Sequence, residues 1–171
     1  VPIILRQASK NIPGVNVLTF ESNNPQNFGV LYFNKKKEPI MIKEKPKDGK
    51  SNSVIPGVYF YSPEAIKFAK KLKKSSRGEL EITDLNKIFL KKKKLKVFKL
   101  GRGIAWLDMG DPDRLNAASN FVRSVQINQG FLISCLEEIS FNNGWISKKH
   151  IKNSLKKNQI TTEYYKYVKS I

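Results

Sequence analysis

One cysteine is too few for a disulfide within the chain, and Cys135 has no suitably spaced partners for a zinc site. Long apolar runs are also missing: nothing approaches the roughly 20 residues needed to cross a bilayer. No charged stretch precedes an apolar one in the manner of a secretory signal. These absences together predict a cytoplasmic, reducing location and no membrane partner. Arginine is scarce as well. The 32 basic residues include only Arg6, Arg77, Arg102, Arg114 and Arg123, the rest being lysine. The net charge of +18 therefore lacks the bidentate forks that favour phosphate and base-edge recognition. Lysines cluster where solvent is expected, at 35–37, 70–74 and 91–94. A solvated lysine surface, with no nucleic-acid partner, is the reading that follows.

What is present is an ordinary globular composition, 40% hydrophobic and 11% aromatic over 171 residues, enough for one domain and a small appendage. A helix is expected over Val1–Lys10 and strands over Val15–Phe20, Phe28–Phe33 and Ile40–Lys43. A further strand over Val54–Tyr61 is interrupted by Pro56-Gly57. Ser62-Pro63-Glu64 reads as a helix start with a hydroxyl cap, placing Ile66, Ala69 and Leu72 inward. Thr83–Lys92 is a second helix, with Leu85, Ile88 and Phe89 inward. Strands over Leu95–Leu100 and Gly103–Leu107 follow, then a helix opened by Asp111-Pro112 and closed near Gly130. Two short helices, from Ser147 and about Thr162, complete the chain. Strands alternating with helices predict an α/β fold, and the short strand connections predict a mixed sheet. The change of pattern places a boundary at Gly130, giving an α/β part over 1–130 and a helical segment over 131–171.

Three segments put charge beside apolar sequence, where burial is costly without compensation. Glu44-Lys45-Pro46 reads on its own as a surface ion pair at a strand end. Alternatively, Pro46 fixes the chain direction and both side chains project from a rigid edge. The carboxylate would then accept bonds from vicinal hydroxyls and the ammonium would meet a phosphate. Arg77 to Asp84 carries four charges; Glu79, Glu81 and Thr83 suit a helix entrance, while Arg77 suits an ion pair or phosphate. Asp108 falls at an expected strand's carboxyl end, where α/β sheets place ligands. Asp111 is explained as a helix cap.

Taken in order, Phe28-Gly29-Val30, Glu44-Lys45-Pro46-Lys47, Ser51-Asn52, Gly57-Val58-Tyr59-Phe60-Tyr61 and Arg77-Gly78-Glu79-Leu80-Glu81-Ile82-Thr83-Asp84 lead to Trp106-Leu107-Asp108. Glu137-Glu138-Ile139 and Asn143-Gly144-Trp145 come last. From about Gly14 to Ile146 this series resembles the glucose-1-phosphate thymidylyltransferases. The resemblance implies a Rossmann-like nucleotidyltransferase core, usually a homotetramer, joining glucose 1-phosphate to dTTP with Mg²⁺. It implies that Gly29 and Ile55 offer backbone contacts to the sugar, that Glu44 binds its hydroxyls and that Tyr59 lines the pocket. Lys45 and Arg77 would meet the phosphate, and Asp108 would be one of two aspartates on the metal. Glu138 and Ile139 would fall in a regulatory nucleotide-sugar site.

The family's opening strand and its G-x-G-T-R-L-x-P loop have no counterpart in this sequence, and Gly101-Arg102-Gly103 belongs to a different segment. The resemblance thus implies a chain lacking its amino-terminal half, the nucleotide cradle and the second metal aspartate, and inactive alone. Pro56, Met109, Asp111-Pro112 and Asn142 also depart from the family's usual residues, bearing on sugar selectivity and feedback. A non-catalytic remnant keeping sugar-phosphate binding or an oligomer interface is a second reading. A basic nucleic-acid-binding module is the third, and the lysine-over-arginine excess counts against it.

Overall fold

The computed structural model describes residues 2–157 and 162–171. Val1, the first residue of the expected helical segment Val1–Lys10, lies outside them. Two compact units divide the chain, Val1–Trp106 and Leu107–Ile171. The division thus falls upstream of the expected Gly130. The long helix over Pro112–Gln129 is tied to the segment after it, where the Gln126 side chain accepts from the Ile133 N–H at 3.0 Å.

The first unit is a six-stranded mixed sheet with helices. Strand β1 (Val15–Glu21) lies at its centre. One flank of β1 pairs in parallel with β6 (Leu95–Lys99), from Val15↔Leu95 to Thr19↔Lys99. The other pairs antiparallel with β5 (Tyr59–Tyr61) and then β4 (Ser53–Ile55). Pro56-Gly57 breaks that partner strand, so Val17 faces Tyr59 but Phe20 faces Val54. Proline removes a ladder donor, which is why the expected single strand becomes two. Beyond β4 come β2 (Gly29–Phe33) and the edge strand β3 (Pro39–Glu44).

Strand periodicity explains the two cores. Val15 and Val17 face one way and join Leu31, Ile42 and Ile55 beneath α2 (Ala65–Ala69) and α3 (Ile82–Lys91). Leu18 faces the other way and packs with Ala8 of α1 (Pro2–Ala8) and Leu100. Asn16, fully buried on β1, donates its amide to the Ala8 carbonyl at 2.8 Å, satisfying the end of α1.

Three expectations are corrected. Ala65 and Phe68 are the inward residues of α2, with Ile66 and Ala69 exposed; Leu72, just past the helix, packs inward as expected. Phe68 prevails because its ring meets Phe89 edge-on at 5.4 Å. The Ser62 side chain makes no capping bond; the turn is held by the Ser62 carbonyl, which accepts from the Ala65 N–H. Gly103–Leu107 forms no strand, since among the described residues no neighbouring strand pairs with its backbone.

The second unit is helical. Its helix α4 (Pro112–Gln129) is capped by Asp111, whose side chain accepts from the Arg114 N–H, and ends at Gly130 with φ +70°. Helices α5 (Leu136–Asn142), α6 (Lys148–Lys157) and α7 (Glu163–Ser170) enclose a small core of Cys135, Ile151 and Val168. The first of these three was not expected from the sequence. Among the described residues no helix is long and apolar enough to cross a membrane.

The loop after β3 is anchored by one carboxylate. Asp48 accepts from the Lys43 ammonium at 2.6 Å and the Tyr32 hydroxyl at 2.7 Å. The lysine bond, then the tyrosine bond, holds its carboxyl at about 2, below the usual 3.8. Because the folded value is depressed, this contribution to stability is present above about pH 4 and is lost as pH falls toward 2. Acid titration of Asp48→Asn, followed by circular dichroism, should show a shallower loss of stability over that window. Gly14 precedes β1, and a Cβ there would lie 2.6 Å from the Lys94 carbonyl and from Phe89. Gly14→Ala should therefore cost about 1–3 kcal/mol, read as a lower urea midpoint with an unchanged slope.

Candidate functional site

Glu44 ends β3 on the face covered by α3. Two residues earlier Ile42 points into the same core, so the strand's alternation sends the carboxylate toward the helix rather than to solvent. There the Thr83 hydroxyl, in the first turn of α3, donates to Glu44 Oε2 at 2.5 Å. Gly29 stands opposite Glu44 across the β2–β3 ladder and opposite Ile55 across the β2–β4 ladder. A Cβ at position 29 would come within 2.9 Å of Thr83 Oγ1 and 3.4 Å of Glu44 Oε2. Glycine is thus required for this strand–helix bond to close.

Arg77 lies over the same carboxylate. Its guanidinium contacts Glu79 Oε2 at 2.7 Å and stands 3.7 Å from both Glu44 Oε1 and Glu81 Oε1. Ser75 Oγ donates to Glu81 Oε1 at 2.9 Å. Glu79, Glu81 and Thr83 therefore do not serve the helix entrance as expected: Glu81 occupies the cap position without a side-chain cap bond, and all three side chains turn to the site. Thr83 is the functional candidate that the sequence reading missed. Its only signal was a polar residue on the buried face of an amphipathic helix.

Lys45 follows directly but turns away. Its backbone sits at φ +43°, a left-handed conformation unusual for lysine and further restrained by Pro46. The Lys45 N–H still donates to the Phe28 carbonyl at 2.9 Å, which keeps the turn beside β2. The side chain is exposed, and among the described residues no carboxylate lies within ion-pair distance of its ammonium. Such strain at a chain turn marks a position held by its surroundings.

Tyr59 begins β5, packs against the α3-side core and stacks on Tyr61 at 5.9 Å. Burial raises its hydroxyl's pKa, and the charge of Glu44 raises it further. Tyr61 is fixed behind it by a 2.6 Å bond to Asn86 of α3. The structure thus brings Gly29, Glu44, Ile55, Tyr59 and Arg77 around one end of the sheet, with Lys45 at the rim. The arrangement offers fixed oxygen acceptors, an aromatic wall and two cations: the means to hold a polyhydroxylated anion.

The remaining predicted residues belong to the second unit. The Asp108 carboxylate is bonded by the Arg114 guanidinium, which also holds Asp111 Oδ2 at 2.8 Å. Among the described residues no cluster of three acidic, histidine or cysteine side chains could hold a metal. One carboxylate already paired with an arginine does not make a magnesium site by itself. On α5, Glu138 accepts from the Tyr167 hydroxyl of α7 at 2.8 Å, and Ile139 is exposed.

The sequence profile of the nucleotidyl transferase family matches residues 4–125. A Neisseria meningitidis protein named glucose-1-phosphate thymidylyltransferase is 43% identical over 96% of this chain and 57% of its own length. One of the same name from Xanthomonas campestris is 40% identical over 98% of this chain and 56% of its own. The chain therefore spans about half the length of the curated relatives it matches. Among solved structures, a Bacillus anthracis chain provisionally named a glucose-1-phosphate thymidylyltransferase, in complex with sucrose, superimposes with a TM-score of 0.60. It is 34% identical, over 71% of this chain and 48% of that one. A UDP-glucose pyrophosphorylase without ligand gives 0.61 at 20% identity, covering 71% of this chain and 47% of that one, and bears on the fold alone. With its profile spanning both faces of the mixed sheet and the residues around Glu44, the chain belongs to the nucleotidyl transferase family.

Proposed function

We propose that this chain carries the sugar-phosphate side of a glucose-1-phosphate thymidylyltransferase centre. The observation that supports this most is the Glu44 carboxylate, held by Thr83 with its other oxygen directed to Arg77, beside an exposed Lys45 that has no carboxylate partner among the described residues. Vicinal sugar hydroxyls would donate to Glu44, while the backbone at Gly29 and Ile55 and the ring of Tyr59 would flank the sugar. Lys45 and Arg77 would neutralise the phosphate as it is positioned.

In the reaction so assigned, a phosphate oxygen of glucose 1-phosphate attacks the α-phosphorus of dTTP. A new P–O bond forms, the bond to the β-phosphate breaks, and pyrophosphate departs with the electron pair. The attacking oxygen is already anionic near neutral pH, so positioning and charge neutralisation suffice and no general base is needed. Magnesium would supply charge neutralisation on the nucleotide phosphates. Asp108 would contribute one carboxylate on release from Arg114, with further oxygens from the nucleotide phosphates. A homo-oligomer, a cytoplasmic setting suited to the free Cys135, and a regulatory role for Glu138 and Ile139 complete the proposal.

The sequence contains no glycine-rich nucleotide loop, so the 171-residue chain alone should release no pyrophosphate from dTTP and glucose 1-phosphate; sustained release in a coupled assay would overturn that expectation. Glu44→Gln should weaken glucose 1-phosphate binding about tenfold in calorimetric titration while leaving inorganic phosphate binding undiminished. Equal affinity of wild type and variant for the sugar phosphate would exclude Glu44 as a sugar ligand. Lys45→Gly should raise stability by about 1 kcal/mol, because glycine adopts φ above zero without a Cβ clash. The same variant should bind glucose 1-phosphate more weakly.

A further inference from the structure

The three carboxylates around Arg77 differ in how firmly they are fixed. Glu44 and Glu81 are the enclosed ones, with side chains 23% and 11% exposed, bonded by Thr83 and Ser75 respectively. Both stand 3.7 Å from the guanidinium, beyond hydrogen-bond range, and act on it through charge alone. Glu79 is 61% exposed, yet makes the direct 2.7 Å bond. Its placement is set by a self-bonded turn. The Ser75 N–H donates to the Glu79 carbonyl at 2.8 Å, the Gly78 N–H to the Ser75 carbonyl at 2.9 Å, and Gly78 takes φ +78°. The Arg77 N–H meets Ser75 Oγ at 3.1 Å, so arginine and glutamate leave one small loop side by side.

Three carboxylates facing one guanidinium leave this spot negative by two charges. A phosphate brought there would meet less repulsion, and find the bonded edge of the guanidinium open, once one carboxylate withdrew. Glu44 and Glu81 are tethered; Glu79 is free to swing into water. We propose that Glu79 is the resting counter-ion of Arg77, which the phosphate of the sugar substrate must displace, so that Glu79 sets the affinity of the phosphate subsite. Glu79 is thus a positioning residue: it parks the arginine over the site in the absence of substrate and touches no reacting atom. The proposal rests on the reading of Arg77 as a phosphate-side group.

The test is titration of the full chain with inorganic phosphate, following the Arg77 Nε–Hε signal by ¹⁵N NMR. Exposed ion pairs are weak, so Glu79→Gln should bind phosphate about two- to fivefold more tightly than wild type. Its phosphate-free Arg77 signal should also be displaced from the wild-type position. Glu79→Ala, checked for folding by circular dichroism, should behave alike. If folded variants bind phosphate as tightly as wild type or less so, Glu79 is not the competing counter-ion, and the assignment of the subsite stands. If phosphate moves the Arg77 signal in neither wild type nor variants, the subsite assignment falls and the counter-ion role falls with it.

Discussion

The site depends on one hydrogen bond between elements far apart in the chain, from the Thr83 hydroxyl to the Glu44 carboxylate. A carboxylate at a strand end facing a helix would be costly to enclose without a partner. Thr83 supplies the partner, and Gly29 leaves the space for it. The neighbouring features follow from this placement. Arg77 can approach because one oxygen of Glu44 is already satisfied, and Tyr59 feels the carboxylate's charge because the strand cannot turn away. The constraint is geometric before it is chemical: strand β3 must end at this register for the carboxylate to reach the first turn of α3.

Charge is distributed unevenly over the molecule. With 32 basic and 14 acidic residues, carboxylates are the scarce resource. Several serve a single lysine at the surface, as Glu21 does for Lys99 and Glu64 for Lys94. Around Arg77 the ratio reverses, with Glu44, Glu79 and Glu81 converging on one cation. A local excess of negative charge in so basic a chain distinguishes this region from the lysine surface more sharply than net charge could.

Much of the fold was legible in the sequence because it rests on local rules. The strand over Val15–Glu21 follows from apolar residues on both faces, and helix α4 follows from Asp111-Pro112 at one end and Gly130 at the other. Where partners decide, the sequence misled. Gly103–Leu107 has the composition of a strand but, among the described residues, no neighbour to pair with, and a strand is defined by its neighbour. In α2, five residues long, the position of one phenylalanine against Phe89 outweighed the apparent stripe through Ile66. Glu44, Lys45 and Arg77 could be singled out by residue type and by resemblance. Thr83 could not, since its bond to Glu44 joins positions 39 residues apart and its one local trace, a polar residue on an apolar helix face, does not say what it bonds.

The parallel pairing of β1 with β6 has a consequence for how the chain acquires its fold. Val15 finds its partner Leu95 only after the intervening hairpins and two helices have formed or been bridged. Local contacts complete β2 with β3 early, whereas one flank of β1 waits for a segment far downstream. A chain emerging from the ribosome at about 5–20 residues per second would hold that flank open for several seconds. The central strand, the most completely buried in the finished protein, is thus among the last to be closed, and its unpaired edge is the place where a nascent chain is open to mispairing.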